Sequence, residues 1–141
     1  MKDVWYKILD YSGDGSDIFQ AFQARKNLFF LQSGQAGANG QNRFSFIGFD
    51  PFDVYQGEGK DAVFELEKKY NLYKDDSQLS NFVSGVVGYL SYDYGLYQEN
   101  ILQRMEQQGL APFAINDMLL PDAVFGFYDT ILTIDHELKK L

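Results

Sequence analysis

Ser33 and Arg43 flank a glycine-rich stretch, and their types and spacing make them the strongest candidates for ligand binding in this sequence. The apolar run at 28–32 predicts a buried strand, and the run at 43–50 predicts a second one. A loop between two such strands would place Ser33 and Arg43 near each other at one end of a sheet. An arginine there can bind a carboxylate bidentately, and the amides of the loop can bind an anion or an amino acid. A long glycine hairpin without a ligand is the alternative.

Two further groups of residues could carry chemistry, but each has a structural explanation that we favour. His136 lies between two carboxylates in the sequence, which could make it an acid–base group. Adjacent residues of a strand point to opposite faces, so a half-exposed strand histidine is the better interpretation. Gly13-Asp14-Gly15 begins like a dinucleotide-binding loop, but Ile18 occupies the position of the third glycine. A simple turn between a strand and a helix therefore explains these glycines better.

The composition excludes several classes of protein and of site. The chain has 141 residues with no cysteine and one histidine, so disulfides, thiol nucleophiles and His-rich metal sites are excluded. Its net charge of −8 disfavours binding to nucleic acid and to an anionic membrane surface. The first residues lack the apolar segment of a signal peptide, and the apolar runs are too short to span a membrane. We therefore expect a cytoplasmic protein with a single domain, residues 1–141.

The order of apolar runs and turns predicts an α+β fold, with a largely antiparallel mixed sheet and two to three short helices. The predicted strands cover 4–9, 28–32, 43–50, 52–56, 84–92, 123–128 and 130–135, and the predicted helices cover 16–26, 60–70 and 97–108. Ser16 is the expected N-cap of the first helix. The glycines within 84–92 suggest a close approach of two backbones or a β-bulge. The junction at Tyr128 and Asp129 is too short for a helix, so the last two strands form either a hairpin or one bent strand.

Five short motifs are spread along nearly the whole chain. They are Phe30-Leu31-Gln32-Ser33-Gly34, Arg43-Phe44-Ser45-Phe46-Ile47-Gly48 with Asp50-Pro51, Gly85-Val86-Val87-Gly88-Tyr89-Leu90-Ser91-Tyr92-Asp93, Pro121-Asp122-Ala123 and Asp135-His136. In these residues the chain resembles the N-terminal domain of the chorismate-utilising aminating enzymes, anthranilate synthase component I and aminodeoxychorismate synthase component I. The anthranilate branch usually has a glutamate at the position of Gln32, whereas a Ser-Gly pair as at Ser33 and Gly34 is common in the other branch. The aminodeoxychorismate branch is therefore favoured.

This resemblance implies that the parent protein is an enzyme that works with a glutamine amidotransferase subunit. Ammonia would replace the 4-hydroxyl group of chorismate, with Mg²⁺, to give 4-amino-4-deoxychorismate on the way to 4-aminobenzoate and folate. In that family the chorismate and Mg²⁺ residues lie in a large C-terminal domain. We therefore expect this chain to have no catalytic residue and no cofactor of its own, and its sheet to be completed by the C-terminal domain.

The resemblance further implies that the chain keeps the N-terminal half of a tryptophan pocket, which is regulatory in anthranilate synthases. The residues that match this half-pocket are Leu31, Ser33, Asn42, Arg43, Phe44 and Ser45. The other half would come from the C-terminal domain, so free tryptophan should bind weakly. If the sheet is completed elsewhere, the isolated chain should expose an edge or an apolar face and self-associate. The stretch 43–49, which is apolar on both faces, is the expected exposed surface.

Two other functions stay open at this point. The first is the same domain from an anthranilate synthase, in which tryptophan is a feedback inhibitor. The second is a free-standing domain that binds a small ligand or serves as a scaffold. Tryptophan inhibition of the full enzyme would identify the first, and a stable monomer of this length in cells would identify the second.

Overall fold

The computed structural model contains both helices and strands and describes residues 5–34, 42–74, 82–98, 101–109 and 119–141. In chain order the elements are α1 (Ser16–Ala21), β1 (Phe29–Leu31), β2 (Phe44–Gly48), β3 (Asp53–Gly57), α2 (Ala62–Tyr73), β4 (Gly85–Leu90), α3 (Tyr94–Gln98), α4 (Ile101–Gln107), β5 (Ala123–Tyr128) and β6 (Ile131–Asp135). The predicted α+β class is confirmed. The described residues hold four helices rather than two to three, since α3 and α4 occupy the region predicted as one helix.

The strands form two antiparallel sheets, one in the order β1-β2-β6 and the other in the order β3-β5-β4. In the first sheet Leu31 lies opposite Phe46, and Ser45 lies opposite Ile134. β5 and β6 are consecutive in the chain but belong to different sheets, so the hairpin alternative at their junction is wrong. The two residues Asp129 and Thr130 connect the strand of one sheet to the strand of the other.

Two compact units make up the chain. The first contains Met1–Asp53, Asp76–Gly85 and Phe127–Leu141, and the second contains Val54–Asp75 and Val86–Gly126. The assignment of the whole chain to one N-terminal domain of a longer enzyme stays a prediction. None of the helices in the described residues has the length and hydropathy needed to cross a bilayer.

The first unit packs α1 against the first sheet. Phe19 of α1 stacks on Phe30 of β1 with ring centroids 5.6 Å apart. Beneath them Ile47 of β2 and Ile134 of β6 are 0% and 1% exposed. β2 has a partner strand on each side, and none of the residues 43–49 is exposed. The expectation that this stretch forms an exposed surface is therefore wrong.

The second unit has a small core of Ala62, Tyr94 and Ala123, all at most 5% exposed. The Tyr55 hydroxyl of β3 donates a hydrogen bond to the carbonyl of Ala62, at 2.7 Å, and so joins β3 to the start of α2. Burial raises the pKa of that hydroxyl, because the anionic form of a phenol loses its hydration when it is covered.

Gly88 lies where β4 passes very close to β5. A Cβ atom added there would lie 2.0 Å from the carbonyl oxygen of Val124 and 2.6 Å from the Cα of Phe125. Real Cβ atoms do not approach backbone so closely, so only glycine fits without a shift of one strand. The close approach of two backbones predicted from the glycines of this strand is confirmed.

The start of the chain differs from the prediction in two respects. Residues 5–9 form no named strand, and Leu9 instead exchanges two backbone hydrogen bonds with Leu141, at 2.8 and 3.0 Å. Gly15 rather than Ser16 is the N-cap of α1, because its φ of 95° makes the turn into the helix. Asp14, the residue before the N-cap, accepts the N–H of Ser16 through its Oδ1 at 2.9 Å. The glycine-rich loop predicted between β1 and β2 falls mostly on 35–41, which lie outside the described residues.

Candidate functional site

Ser33 lies two residues beyond the end of β1, where two hydrogen bonds hold it against β2. Its hydroxyl donates to the carbonyl of Phe44 at 2.5 Å, and its backbone N–H donates to Ser45 Oγ at 3.0 Å. The antiparallel pairing of β1 with β2 produces this contact, since it continues the register in which Leu31 faces Phe46. The structure thus brings Ser33 to the residues that directly follow Arg43.

Arg43 binds two carboxylates of its own chain. Its Nε lies 3.0 and 3.1 Å from the two carboxylate oxygens of Asp135, and its Nη2 lies 2.6 Å from Oδ2. Its Nη1 lies 3.2 Å from Glu137. The bidentate carboxylate contact that the sequence suggested for a ligand is therefore made with Asp135, which ties the start of β2 to the end of β6.

Asp135 is a well-satisfied and nearly buried carboxylate. It is 8% exposed, and its Oδ1 also accepts the backbone N–H groups of Glu137 and Leu138, each at 3.0 Å. The hydrogen bonds from Arg43 hold the pKa of Asp135 below its usual range, against the opposing effect of burial. The same pair raises the pKa of Arg43. One guanidinium and two carboxylates leave this cluster with a net negative charge.

Ser45 and His136 form a second polar contact on the buried side of the first sheet. Ser45 is 0% exposed, and its Oγ lies 2.7 Å from His136 Nε2. The backbone N–H of His136 also donates to the carbonyl of Arg43 at 2.9 Å. Because a fully buried hydroxyl cannot reach a substrate, this serine and histidine are not a nucleophile and its base. His136 is half-buried as predicted, although it lies in the turn after β6 rather than in a strand.

The other three predicted residues lie at the same end of the first sheet. Leu31, the last residue of β1, is 48% exposed. Asn42 is exposed and has a φ of 64°, a left-handed conformation that asparagine tolerates. The ring of Phe44 is half-buried, and the guanidinium carbon of Arg43 lies 4.8 Å from its centroid. The structure therefore brings the six predicted residues together, and a ligand role for them stays a prediction.

Sequence reasoning missed the partners of these residues. Arg43 and Asp135 are 92 positions apart, so no local spacing connects them. The sequence did offer one signal, the motif Asp135-His136, which is among the motifs that resemble the family. The motif does not show which residues Asp135 and His136 contact. Within the described ranges, no three Asp, Glu, His or Cys side chains come together in a way that could hold a metal ion.

Comparison with known proteins finds two curated relatives, whereas no protein-family model matches the chain. The chain is 26% identical over 136 residues to aminodeoxychorismate synthase component 1 of Bacillus subtilis (strain 168), which covers 84% of this chain and 26% of that protein. It is 32% identical over 117 residues to a probable anthranilate synthase component 1 of Schizosaccharomyces pombe, which covers 81% of this chain and 22% of that protein. The chain thus spans about a quarter of the length of each relative, and the resemblance found in its motifs is confirmed.

Proposed function

Because the chain is related to the aminodeoxychorismate and anthranilate synthase component 1 family, we propose that it is the N-terminal, non-catalytic domain of an aminodeoxychorismate synthase component 1. The observation that carries this proposal is the match to such a protein over 84% of the chain. The Ser33-Gly34 pair favours the same branch. The parent enzyme would aminate chorismate to 4-amino-4-deoxychorismate in the cytoplasm, for the synthesis of 4-aminobenzoate and folate.

The chemistry of the parent enzyme would lie outside this chain. The relatives are each component 1 of a synthase, which implies a second component, and we propose that it is a glutamine amidotransferase that supplies ammonia. The described residues offer no group of side chains that fits Mg²⁺. We propose, from the family resemblance, that Mg²⁺ and chorismate bind in the C-terminal domain. The role of this chain is to pack against that domain and to carry part of a regulatory pocket.

The proposed pocket uses the six residues at the end of the first sheet in two different ways. Leu31 and Asn42 are exposed and can touch a ligand such as tryptophan. Ser45 is buried and can only support the others. All three guanidinium nitrogens of Arg43 already face carboxylates. A ligand carboxylate must therefore either share the remaining N–H groups of Arg43 with them or displace one of them. Glu137 is the carboxylate that a ligand would displace most easily, because its side chain is 63% exposed and lies 3.2 Å from Nη1 of Arg43.

A second candidate function is the corresponding domain of an anthranilate synthase. The identity of 32% to the Schizosaccharomyces pombe protein, against 26% to the Bacillus subtilis protein, favours this candidate. In that case the amino group would be added at a different position of chorismate, and tryptophan would be a true feedback inhibitor. The two candidates therefore differ in product and in the strength of tryptophan inhibition.

The test is an assay of the native, full-length protein purified with its amidotransferase. Chorismate, glutamine and Mg²⁺ are supplied, and the products are identified by mass spectrometry after treatment with and without an aminodeoxychorismate lyase. We expect 4-amino-4-deoxychorismate without the lyase and 4-aminobenzoate with it. Anthranilate as the product would favour the second candidate, and the absence of any aminated product would refute both. The 141-residue chain alone is the control and should give no product.

A further inference from the structure

A chain of hydrogen bonds joins three segments of the first unit that are far apart in the sequence. It runs from the N–H of Ser33 after β1 to the hydroxyl of Ser45 on β2, and from there to the ring of His136 after β6. The two donor–acceptor distances are 3.0 and 2.7 Å. The central atom, Ser45 Oγ, belongs to a residue that is 0% exposed, so water does not replace either bond.

The protons of this chain can be placed by counting donors and acceptors. A serine hydroxyl has one proton to donate and lone pairs that accept. Ser45 Oγ accepts the N–H of Ser33, so its own proton is available for His136 Nε2. If Nε2 carried a proton instead, the Ser45 hydroxyl would need another acceptor inside the sheet, and a buried donor without an acceptor is costly. Of the two tautomers of the ring, the network therefore selects the one in which Nε2 accepts and Nδ1 carries the proton.

We propose that His136 is a positioning residue for the pocket at the end of the first sheet. It fixes the rotation of the Ser45 hydroxyl, and that hydroxyl fixes the backbone of Ser33. The backbone N–H of His136 also donates a hydrogen bond to the carbonyl of Arg43, at 2.9 Å. His136 itself would not touch the ligand. The functional part of this inference rests on the proposed pocket, whereas the positioning of Ser33 does not.

The first test needs no substitution, because the chain contains a single histidine. Labelling with ¹⁵N-histidine gives one imidazole, and long-range ¹H–¹⁵N correlation spectra distinguish its protonated nitrogen from its unprotonated one. At neutral pH we expect Nε2 to be the unprotonated nitrogen and Nδ1 to carry the proton. A spectrum in which Nε2 carries the proton would overturn the proposal.

The second test compares two amide variants of the same residue. In His136→Gln the side-chain amide reaches the position of Nε2, whereas in His136→Asn it stops one bond short. Amide hydrogen exchange of Ser33 should be about tenfold faster in H136N than in the wild type, and near the wild-type rate in H136Q. The control is the amide of Phe52, which bonds to the carbonyl of Phe127 in the same unit and lies outside the network. If Ser33 exchanges at the wild-type rate in H136N, or if Phe52 accelerates equally, the proposal is wrong.

A tryptophan titration of the same samples separates this inference from the proposed pocket. In the wild type and H136Q, tryptophan should shift the signals of Ser33 and Asn42, and in H136N the affinity should fall several-fold. The titration extends to millimolar tryptophan, because the half-pocket is expected to bind weakly. If tryptophan then shifts no signal in any sample while the exchange of Ser33 behaves as expected, the half-pocket is refuted and the positioning by His136 is supported. If tryptophan binds all three samples equally, His136 has no positioning role in binding.

Discussion

Replacing Gly88 by alanine should destabilise the second sheet strongly. The added methyl carbon would lie 2.0 Å from the carbonyl oxygen of Val124 and 2.6 Å from the Cα of Phe125. Both atoms belong to the backbone of β5, which cannot rotate away as the end of a side chain could. The strands can relieve the clash only by moving apart, and this movement weakens their hydrogen bonds.

The size of the effect follows from the atoms involved. Insertion of an extra methyl group into a well-packed site typically costs about 1–3 kcal/mol. We expect the upper end of that range for Gly88→Ala, since the obstruction is backbone. For a chain of this length, each kcal/mol lowers the melting temperature by roughly 3–5 °C. The melting temperature should therefore fall by about 10 °C.

The assay is thermal and urea unfolding followed by circular dichroism, with Gly95→Ala as the matched control. Gly95 lies in α3 of the same unit, and no heavy atom lies within 4 Å of its added Cβ. Alanine is a better helix former than glycine by up to about 1 kcal/mol, so this variant should be unchanged or slightly more stable. A Gly88→Ala protein within about 1 kcal/mol of the wild type would refute the close approach of β4 and β5.

Three further predictions concern contacts that lie inside one or the other of the two units. Asp135→Asn should be less stable than the wild type at pH 7. Because the folded pKa of Asp135 lies below the unfolded value of about 3.9, the difference should shrink once the pH falls below about 3.9 and vanish below the folded pKa, as measured by urea unfolding from pH 7 down to pH 2. Asp122→Ala should cost roughly 1–3 kcal/mol in the same assay, since the Gly59 N–H and the Ser91 hydroxyl both lose their acceptor. Phe127→Ala should cost about 3–5 kcal/mol in thermal unfolding, because this ring is 1% exposed. Equal stability of any variant and the wild type would contradict the corresponding contact.

Local patterns predicted most of the strands, because each depends on residues that are adjacent in the sequence. The apolar run at 28–32 became β1, and the alternating run at 43–50 became β2. The glycines of β4 also predicted a close approach of two backbones, because only a residue without a side chain permits the contact at Gly88. The clustering of the predicted pocket residues followed from the hairpin of β1 and β2.

Contacts between distant residues could not be predicted from one sequence. The guanidinium of Arg43 was expected to bind a ligand, but Asp135 lies 92 positions away and occupies it. The apolar pattern of β2 was compatible with an exposed face or with a central strand, and only the pairing with β6 decides between them. The apolar start of the chain was predicted to be a strand. Of its described residues only Leu9 pairs with the last residues of the chain, and the pairing continues through Asp10 to Tyr11, beyond the predicted strand.

The central claim, that this chain is one domain of a longer synthase, is tested most directly by the size of the native polypeptide. An antibody raised against the 141-residue chain is used to probe an extract of the source cells. We predict a single band far above 16.2 kDa, since the chain spans about a quarter of each relative. A band at 16.2 kDa would contradict the claim and would identify a free-standing binding domain instead.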